Sequence, residues 1–329
     1  MKMDANERQK LAERFRHFAT EECHDSSPLY AVFALAVAED DQLLELASHC
    51  RRWQPPANLL FAAVQDILLR GADHPLREFY PALAESLHAC EAAAGPFKNF
   101  CVSHYSEIKS LIEARLVQTN EVRRCVPIQA AFATMVGAMG KRPLALIEIG
   151  PSAGFNLCWD QYNYGPMAWE SDSEVKLSTE WRGSKRPPRW EEQPVVSSRV
   201  GVDLNVIDLD QESERRWLLA LIWPEHEERR KRLEKVIEIT RRAKLELREG
   251  DAVEELLPMS RATPEDSLLC IYHTWVANQM TDRQRVKLLD VIETIGRSRD
   301  LCHIYNNIEP HLHLTYYMDG VRHDTPLAK

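Results

Sequence analysis

A short segment near the middle of the chain, from Leu144 to Leu157, most constrains how the chain folds. It begins with Leu-Ala-Leu-Ile-Glu-Ile, a nearly continuous apolar run of the kind found in buried parallel strands. Gly-Pro-Ser-Ala-Gly follows directly and is typical of a tight turn, after which we expect a helix. A strand, a glycine-containing turn and a helix start predict an α/β unit with a ligand cradle at the carboxyl end of the strand.

Similar apolar runs recur in the second half of the chain, with helical stretches between several of them. They lie at Arg199 to Leu204, Leu245 to Arg248, Leu268 to His273, His303 to Ile308 and Leu312 to Met318. Because strands and helices alternate, we predict an α/β, Rossmann-like domain with a mostly parallel sheet over residues 141–329. Residues 159–193 are rich in Trp, Pro and charge, which predicts an irregular insertion.

The sequence after Met318 predicts a hairpin turn followed by a short second strand or none. Asp319-Gly320 is a typical hairpin turn after the run that ends at Met318. Pro326 follows soon afterwards, and proline cannot donate to a strand ladder. We therefore expect the last strand to be short or absent.

The first 140 residues carry helical signals instead. Ser27-Pro28 offers a capping hydroxyl followed by proline at the first helical position, which predicts a helix start. An amphipathic stripe runs from Leu59 to Leu68 and ends before Gly71. Further helical stretches are predicted at 75–94, 96–116, 119–140 and, in the α/β part, 212–244 and 281–298, with Pro81 and Pro127 expected to kink or divide two of them. The sequence therefore predicts an all-α N-terminal region, residues 1–140, which would act as a lid.

Composition and charge narrow the class of partner. The chain has 41 Lys and Arg against 50 Asp and Glu, a net charge of -9, which argues against nucleic acid or an anionic membrane. No apolar run reaches the roughly 20 residues needed to cross a bilayer, and no secretory signal is visible, so we expect a cytoplasmic protein. The eight cysteines form no C-x-x-C pair, so we expect reduced thiols and no metal site. A small molecule is the expected partner.

The cradle segment resembles the glycine-rich motif of the S-adenosylmethionine-dependent methyltransferases. That motif has an acidic residue and then G-x-G-x-G at the end of the first strand. Here Glu148 is the acid, Gly150 and Gly154 are the outer glycines, and Ser152 replaces the middle one. The resemblance implies a methyltransferase-type core and a transferase activity on a small molecule, with these four residues binding S-adenosylmethionine.

The same letters also satisfy G-x-S-x-G, the nucleophile elbow of the α/β-hydrolases, in which Ser152 would be the nucleophile. An elbow normally follows several strands and an oxyanion loop, whereas about 140 mostly helical residues precede this one. A tight turn that binds nothing is another possibility. We favour the methyltransferase-like cradle, with a non-catalytic binding protein of the same fold as the next alternative and a serine hydrolase after it.

A methyltransferase-like core implies cofactor contacts at the ends of the second and third strands. The second predicted strand ends in Val-Gly-Val-Asp, and Asp203 would bind the ribose hydroxyls. Gly-Asp-Ala follows the third, so Asp251 and Ala252 would lie beside the adenine. Each carboxylate has a simpler alternative: Asp203 as a solvated loop residue, and Asp251 as a helix N-cap.

The fourth predicted strand ends at His273, at the edge where ligands of such sheets bind. His273, as a possible base, and Asn278 are therefore the catalytic candidates, with Thr274 as a further substrate contact. A histidine in this position is more often a hydrogen-bonded core residue. No (D/N/S)-P-P-(Y/F) sequence follows the strand, which disfavours methylation of nucleobase amino groups.

Beyond the cradle, nearly the whole chain resembles a largely bacterial family of uncharacterised proteins with a methyltransferase-like core. The matching motifs are Ser27 to Tyr30, Gln118 to Arg124, Glu148 to Tyr162 and Arg216 to Pro224. The family implies a helical N-terminal part and a Rossmann-like core, and it implies no particular reaction.

The motif at Gln118 leads toward the cradle strand. We therefore expect Gln118, Asn120, Glu121 and Arg124 to face the cradle and to bind the substrate. The alternative is a solvated helix start in which Glu121 and Arg124 pair across one helical turn.

Overall fold

A computed structural model describes residues 3–118, 120–179, 188–308 and 311–328. The chain divides into two compact units, residues 1–119 with 210–234 and residues 120–209 with 235–329. The boundary expected near Gly140 thus lies inside the second unit. The reason is that the helix before the first strand packs on the sheet, where Phe132 lies edge-on to Tyr272 with ring centroids 5.7 Å apart.

The helices follow one another along the chain as α1 (Ala5–His17), α2 (Pro28–Ala38), α3 (Asp41–Ser48), α4 (Pro56–Leu69), α5 (Ala94–Ser103), α6 (Tyr105–Ala114), α7 (Cys125–Met139), α8 (Glu212–Ala220), α9 (Glu227–Arg242), α10 (Ala252–Ala262) and α11 (Asp282–Gly296). The predicted start at Pro28 is confirmed, and Ser27 Oγ accepts the Tyr30 N–H. None of the helices in the described ranges combines the length and apolar character that a membrane span requires.

The first unit is all-α and contains α1 to α6 and α8. The helix α8 belongs to it because Arg216 Nε donates to Asp66 Oδ1 at 2.9 Å. In addition, the Gln65 amide donates to the carbonyls of Leu219 and Ile222 at 3.2 and 3.0 Å. The helix predicted over 75–94 is wrong: short 3-10 helices at Pro75–Phe79 and Cys90–Ala92 stand there instead. Prolines in this stretch interrupt helical hydrogen bonding.

The second unit is built on one sheet of β1 (Leu144–Ile149), β2 (Val196–Asp203), β3 (Glu246–Glu249), β4 (Leu268–His273), β5 (Leu301–Tyr305), β6 (Leu312–Met318) and β7 (Val321–Ala328). The strand order is β3-β2-β1-β4-β5-β6-β7. The first five strands are parallel, and β6 and β7 are antiparallel to their neighbours. The prediction of an α/β fold with a mostly parallel sheet is confirmed.

The expectation of a short or absent last strand is wrong. β7 is 8 residues long and pairs with β6 from Val321 to Ala328. It lies at the edge of the sheet, where a proline is tolerated because its missing N–H can face away from the neighbouring strand. The predicted turn is confirmed, since Asp319 and Gly320 both have positive φ, 52° and 75°, as a tight hairpin requires.

The insertion predicted at 159–193 contains no α-helix or strand among its described residues, and residues 180–187 lie outside the description. Packing of indole rings holds it together. Trp159, Trp169 and Trp190 are buried with ring centroids 5.9 to 6.2 Å apart. The local composition therefore predicted its irregularity, while its aromatic core depends on contacts between distant residues.

Candidate functional site

The cradle loop, Gly150 to Gly154, has a left-handed backbone at all three positions where the motif places glycine. The φ angles are 71° at Gly150, 53° at Ser152 and 81° at Gly154. Such a conformation costs a serine on the order of 1 kcal/mol. Two hydrogen bonds fix it: Ser152 N donates to Asp203 Oδ2 at 2.8 Å, and Ile207 N donates to the Ser152 carbonyl at 3.1 Å. Serine thus adopts here the left-handed backbone that is usual for glycine.

The space left by the two glycines is filled by side chains of this chain. A Cβ on Gly150 would lie 2.4 Å from Val276 Cγ2, and one on Gly154 would lie 2.8 Å from Leu245 Cδ1. The helix expected after the loop is a 3-10 helix, Phe155–Gln161, and not an α-helix. The glycines are therefore required for packing, whether or not a ligand approaches the loop.

Glu148, near the end of β1, is a buried carboxyl with one unused oxygen. Asn156 Nδ2 donates to Oε1 at 2.8 Å, whereas Oε2 has no partner among the described residues. Burial raises the pKa of Glu148 to about 8, although Asn156 and Arg124 both act to lower it. This carboxyl is therefore mostly protonated at neutral pH. Sequence reasoning assigned Asn156 no role, although it stands in the specific part of the motif.

Asp203 ends β2 on the same face of the sheet as Glu148. Glu148 is in register with Gly201, and side chains two residues apart on a strand share a face. Besides Ser152 N, the Asp203 carboxylate accepts the Asn205 N–H at 3.0 Å, and burial raises its pKa. It is therefore a half-buried residue that fixes the cradle loop, and not a solvated loop residue.

Asp251 follows β3 and caps α10, since its Oδ1 accepts the Val253 N–H at 2.8 Å. The simpler alternative, a helix N-cap, is confirmed, and a ligand contact remains compatible with it. Ala252 begins α10 and packs in the core on that side of the sheet. Carboxyl groups thus stand at the ends of the three adjacent strands β1, β2 and β3.

The segment before α7 contacts the cradle loop through Asn120, and its Arg124 lies close to Glu148 and Trp275. Asn120 Nδ2 donates to Ser152 Oγ at 3.2 Å. Arg124 lowers the pKa of Glu148 and lies over the Trp275 ring, with Cζ 5.7 Å from the centroid.

The other two residues that were predicted to bind the substrate in this segment are Glu121 and Gln118. Glu121 Oε1 accepts the Arg123 N–H at 3.1 Å and caps a 3-10 helix, Val122–Arg124. Gln118 belongs to the first unit. Substrate binding by any of the four stays a prediction.

The catalytic candidates lie apart from the three carboxyl groups. Tyr272 is in register with Glu148, so His273, one residue later, points to the opposite face of the sheet. His273 is fully buried 5.2 Å from His303, measured between ring centroids, and neither of its ring nitrogens has a partner among the described residues. Burial lowers its pKa to about 4. Asn278 is exposed on a 3-10 helix, Ala277–Gln279.

Two further observations bear on alternative chemistries. In the described part of the chain, the hydrogen bond to Ser152 Oγ comes from the Asn120 amide and not from a histidine. Across the same residues, His, Cys, Asp and Glu side chains form no group of three or more that could hold a metal ion.

The chain belongs to a bacterial family described as "Uncharacterized protein conserved in bacteria (DUF2332)", whose sequence profile matches residues 12–329. The match covers nearly the whole chain and confirms the resemblance to an uncharacterised bacterial family, while the methyltransferase-like core implied by that resemblance stays a prediction. A search of curated proteins found no match. The family description gives no reaction or ligand, so a functional proposal depends on the geometry of this chain.

Proposed function

We propose that this member of the family binds S-adenosylmethionine at the carboxyl ends of β1, β2 and β3 and transfers its methyl group to a small molecule. The observation that carries the proposal is the row of three acids, Glu148, Asp203 and Asp251, at adjacent strand ends. The order β3-β2-β1-β4-β5 supports it, because doubly wound sheets of this order bind ligands beside β1, where the order reverses.

The acids fit the polar groups of the cofactor. Asp203 accepts the backbone N–H groups of Ser152, Leu204 and Asn205, and a carboxylate has about four acceptor sites, so a ribose hydroxyl can still donate to it. Asp251 accepts a single capping hydrogen bond, so its carboxylate also has acceptor sites left for the cofactor. Glu148 Oε2, buried and without a partner among the described residues, suits the amino group of the cofactor.

When bound, the cofactor supplies an electrophilic methyl group, and the chain orients the reactants and excludes water. Methyl transfer needs a base only for some acceptors. His273 lies on the other face of the sheet from Glu148, so it would act only on an acceptor held at the end of β4. Asn278, exposed on the next segment, remains a candidate acceptor contact.

Asp251→Ser tests the adenine contact without removing the helix cap, because serine caps as well as aspartate. We expect S-adenosylmethionine and S-adenosylhomocysteine to bind the wild type and to bind the variant about tenfold more weakly, which is the effect of one lost hydrogen bond to a charged group. Calorimetric titration measures the affinities, and thermal unfolding should show an unchanged melting temperature.

The same substitution of aspartate by serine, made at the N-cap of another helix, is the control. Asp4 caps α1 with a 2.7 Å bond from Glu7 N, so Asp4→Ser should leave cofactor affinity unchanged. Ser152→Ala should also be tolerated, because the proposal uses the backbone at that position. The left-handed Ser152 would equally suit a nucleophile elbow, so an esterase assay belongs beside the titration. No cofactor binding to the wild type, with esterase activity lost in Ser152→Ala, would contradict the proposal.

Cofactor binding should release a proton from Glu148. The pKa of about 8 means that the carboxyl binds a proton at pH 7, and a cation placed beside it favours the ionised form. The binding enthalpies measured at pH 7 in phosphate and in Tris should differ. The difference should be up to about that between the ionisation enthalpies of the two buffers for one proton. Glu148→Gln, which mimics the protonated carboxyl, should abolish the difference and weaken binding about tenfold. A wild-type enthalpy that does not depend on the buffer would exclude this role of Glu148.

A further inference from the structure

Trp275, two residues beyond β4, is held in a position that neither burial nor backbone preference explains. Half of its side chain is exposed, 50%, and its φ is 61°, a left-handed conformation rare for a bulky residue. Such strain persists only where the surroundings impose it. Trp275 N donates to Asn306 Oδ1 at 2.8 Å, and Gln279 Nε2 donates to the Trp275 carbonyl at 3.0 Å. The side chains of Asn306 and Gln279 therefore fix the backbone of Trp275 just beyond the carboxyl end of β4.

A cation lies against the ring. Arg124 Cζ is 5.7 Å from the indole centroid, within the range of a cation–π contact, and Arg124 comes from a segment distant in the sequence. A guanidinium can stack with its face while its edge binds a carboxylate through two parallel hydrogen bonds. An exposed indole beside a guanidinium therefore offers one ligand both a surface for its aromatic ring and donors for its acidic group.

The position of this pair connects it to the proposed cofactor site. Val276, the next residue, packs against Gly150 of the cradle loop. Without cofactor, the neighbouring carboxyl does not oppose an acidic ligand, because burial raises the pKa of Glu148 to about 8 and keeps it mostly uncharged at neutral pH. With cofactor bound, the charge of the ionised Glu148 is balanced by the cation of the cofactor. A molecule lying on Trp275 would therefore meet no unbalanced negative charge at Glu148 in either case.

We propose that Trp275 and Arg124 form the acceptor subsite, and that the acceptor is a small planar aromatic acid. Its ring stacks on the exposed indole and its acidic group binds Arg124. This assignment rests on the proposed function, since it names the substrate class of that site, but its binding step is measurable without the cofactor.

The test uses 2-naphthoate as the probe, titrated calorimetrically into the full chain without cofactor. Two comparison compounds separate the parts of the site: cyclohexanecarboxylate keeps the charge without the flat ring, and 2-naphthalenemethanol keeps the ring without the charge. We expect 2-naphthoate to bind at least about tenfold more tightly than either, because stacking and a charge-assisted hydrogen bond each contribute.

Trp275→Asn is the decisive variant, since asparagine accepts a left-handed backbone and the fold should not be lost with the ring. We expect the melting temperature to be maintained and 2-naphthoate affinity to fall about tenfold, while Trp275→Phe keeps most of it. Trp53 provides a matched control: it has φ 72°, is 86% exposed, and lies 5.0 Å from the guanidinium of its sequence neighbour Arg52. Trp53→Asn should leave the affinity unchanged.

Undiminished binding of 2-naphthoate to Trp275→Asn, equal binding of cyclohexanecarboxylate, or no binding to the wild type would overturn the subsite. A separate titration with S-adenosylmethionine distinguishes the two proposals. Cofactor binding without 2-naphthoate binding contradicts only the subsite. Binding of 2-naphthoate that depends on Trp275, without cofactor binding, supports the subsite as a ligand site and contradicts the methyltransferase proposal.

Discussion

Replacing Arg199 by leucine should destabilise the sheet unit by about 3–5 kcal/mol, the cost of removing one partner from a buried ion pair. Arg199, on β2, binds both carboxylate oxygens of Asp160, at 2.6 and 2.7 Å. The two side chains are only 12% and 5% exposed, so the variant leaves the Asp160 charge out of water without a counter-charge. Arg199 also donates to the Leu157 carbonyl, which ties the segment after the cradle loop to β2.

Urea unfolding measures the loss, and two controls identify its origin. The double variant Arg199→Leu with Asp160→Leu should be more stable than the single variant, because it leaves no isolated charge. Arg297→Leu removes the exposed pair with Glu293 on α11 and should change stability by less than about 1 kcal/mol. If the single and double variants were equally unstable, lost packing rather than the buried charge would be the cause.

Acidification should destabilise the protein through His273. Burial lowers the pKa of His273 from 6.5 to about 4 in the folded state. Above pH 6.5 neither state binds the proton, so His273 has no effect on the free energy of unfolding. Between pH 6.5 and 4 only the unfolded chain binds it, and stability falls by about 1.4 kcal/mol per pH unit, or about 3 kcal/mol in total. Burial also lowers the pKa of His303, which acts in the same direction.

A comparison with His273→Phe isolates this contribution, because other groups titrate over the same range. Glu148 acts with the opposite sign: its pKa is raised from 4.5 to about 8, so it stabilises the fold in acid, and this stability is lost as the pH rises. At pH 7 the phenylalanine variant should be about as stable as the wild type, since neither nitrogen of His273 has a partner among the described residues. Urea unfolding from pH 7 to 4.5 should then show the variant increasingly more stable than the wild type. Parallel curves would mean that His273 titrates normally or finds a partner in the folded state.

Local sequence patterns predicted those strands and helices that are marked by one continuous stretch of sequence. The strands β1, β4 and β6 begin and end at the predicted residues, because each is an apolar run followed by a turn. Predictions from local patterns were wrong where contacts between distant residues determine the secondary structure. Residues 75–94 have helical periodicity but form two short 3-10 helices instead of one long helix, and β7 forms because β6 offers it a complete antiparallel partner.

In the candidate site, too, the local sequence predicted some features, while others depend on contacts between distant residues. The motif identified the cradle loop and the acid before it, because glycine and acid spacing follow from the backbone that such a turn needs. The Arg199–Asp160 pair, Trp275 and the proximity of His303 to His273 depend on which strands lie side by side. Nothing in the sequence around Trp275 indicates that its ring is exposed and lies under a guanidinium.

The two edge strands also bear on the behaviour of the protein at high concentration. An open strand edge is a template on which a second molecule can add its own strand, and the first step of aggregation often begins there. β3 is only four residues long and carries the ion pair of Arg248 with Glu246, while β7 carries that of Arg322 with Asp324 and includes a proline. Adding a strand to either edge would bury charge or meet a missing donor, so both ends of the sheet resist growth into a larger assembly.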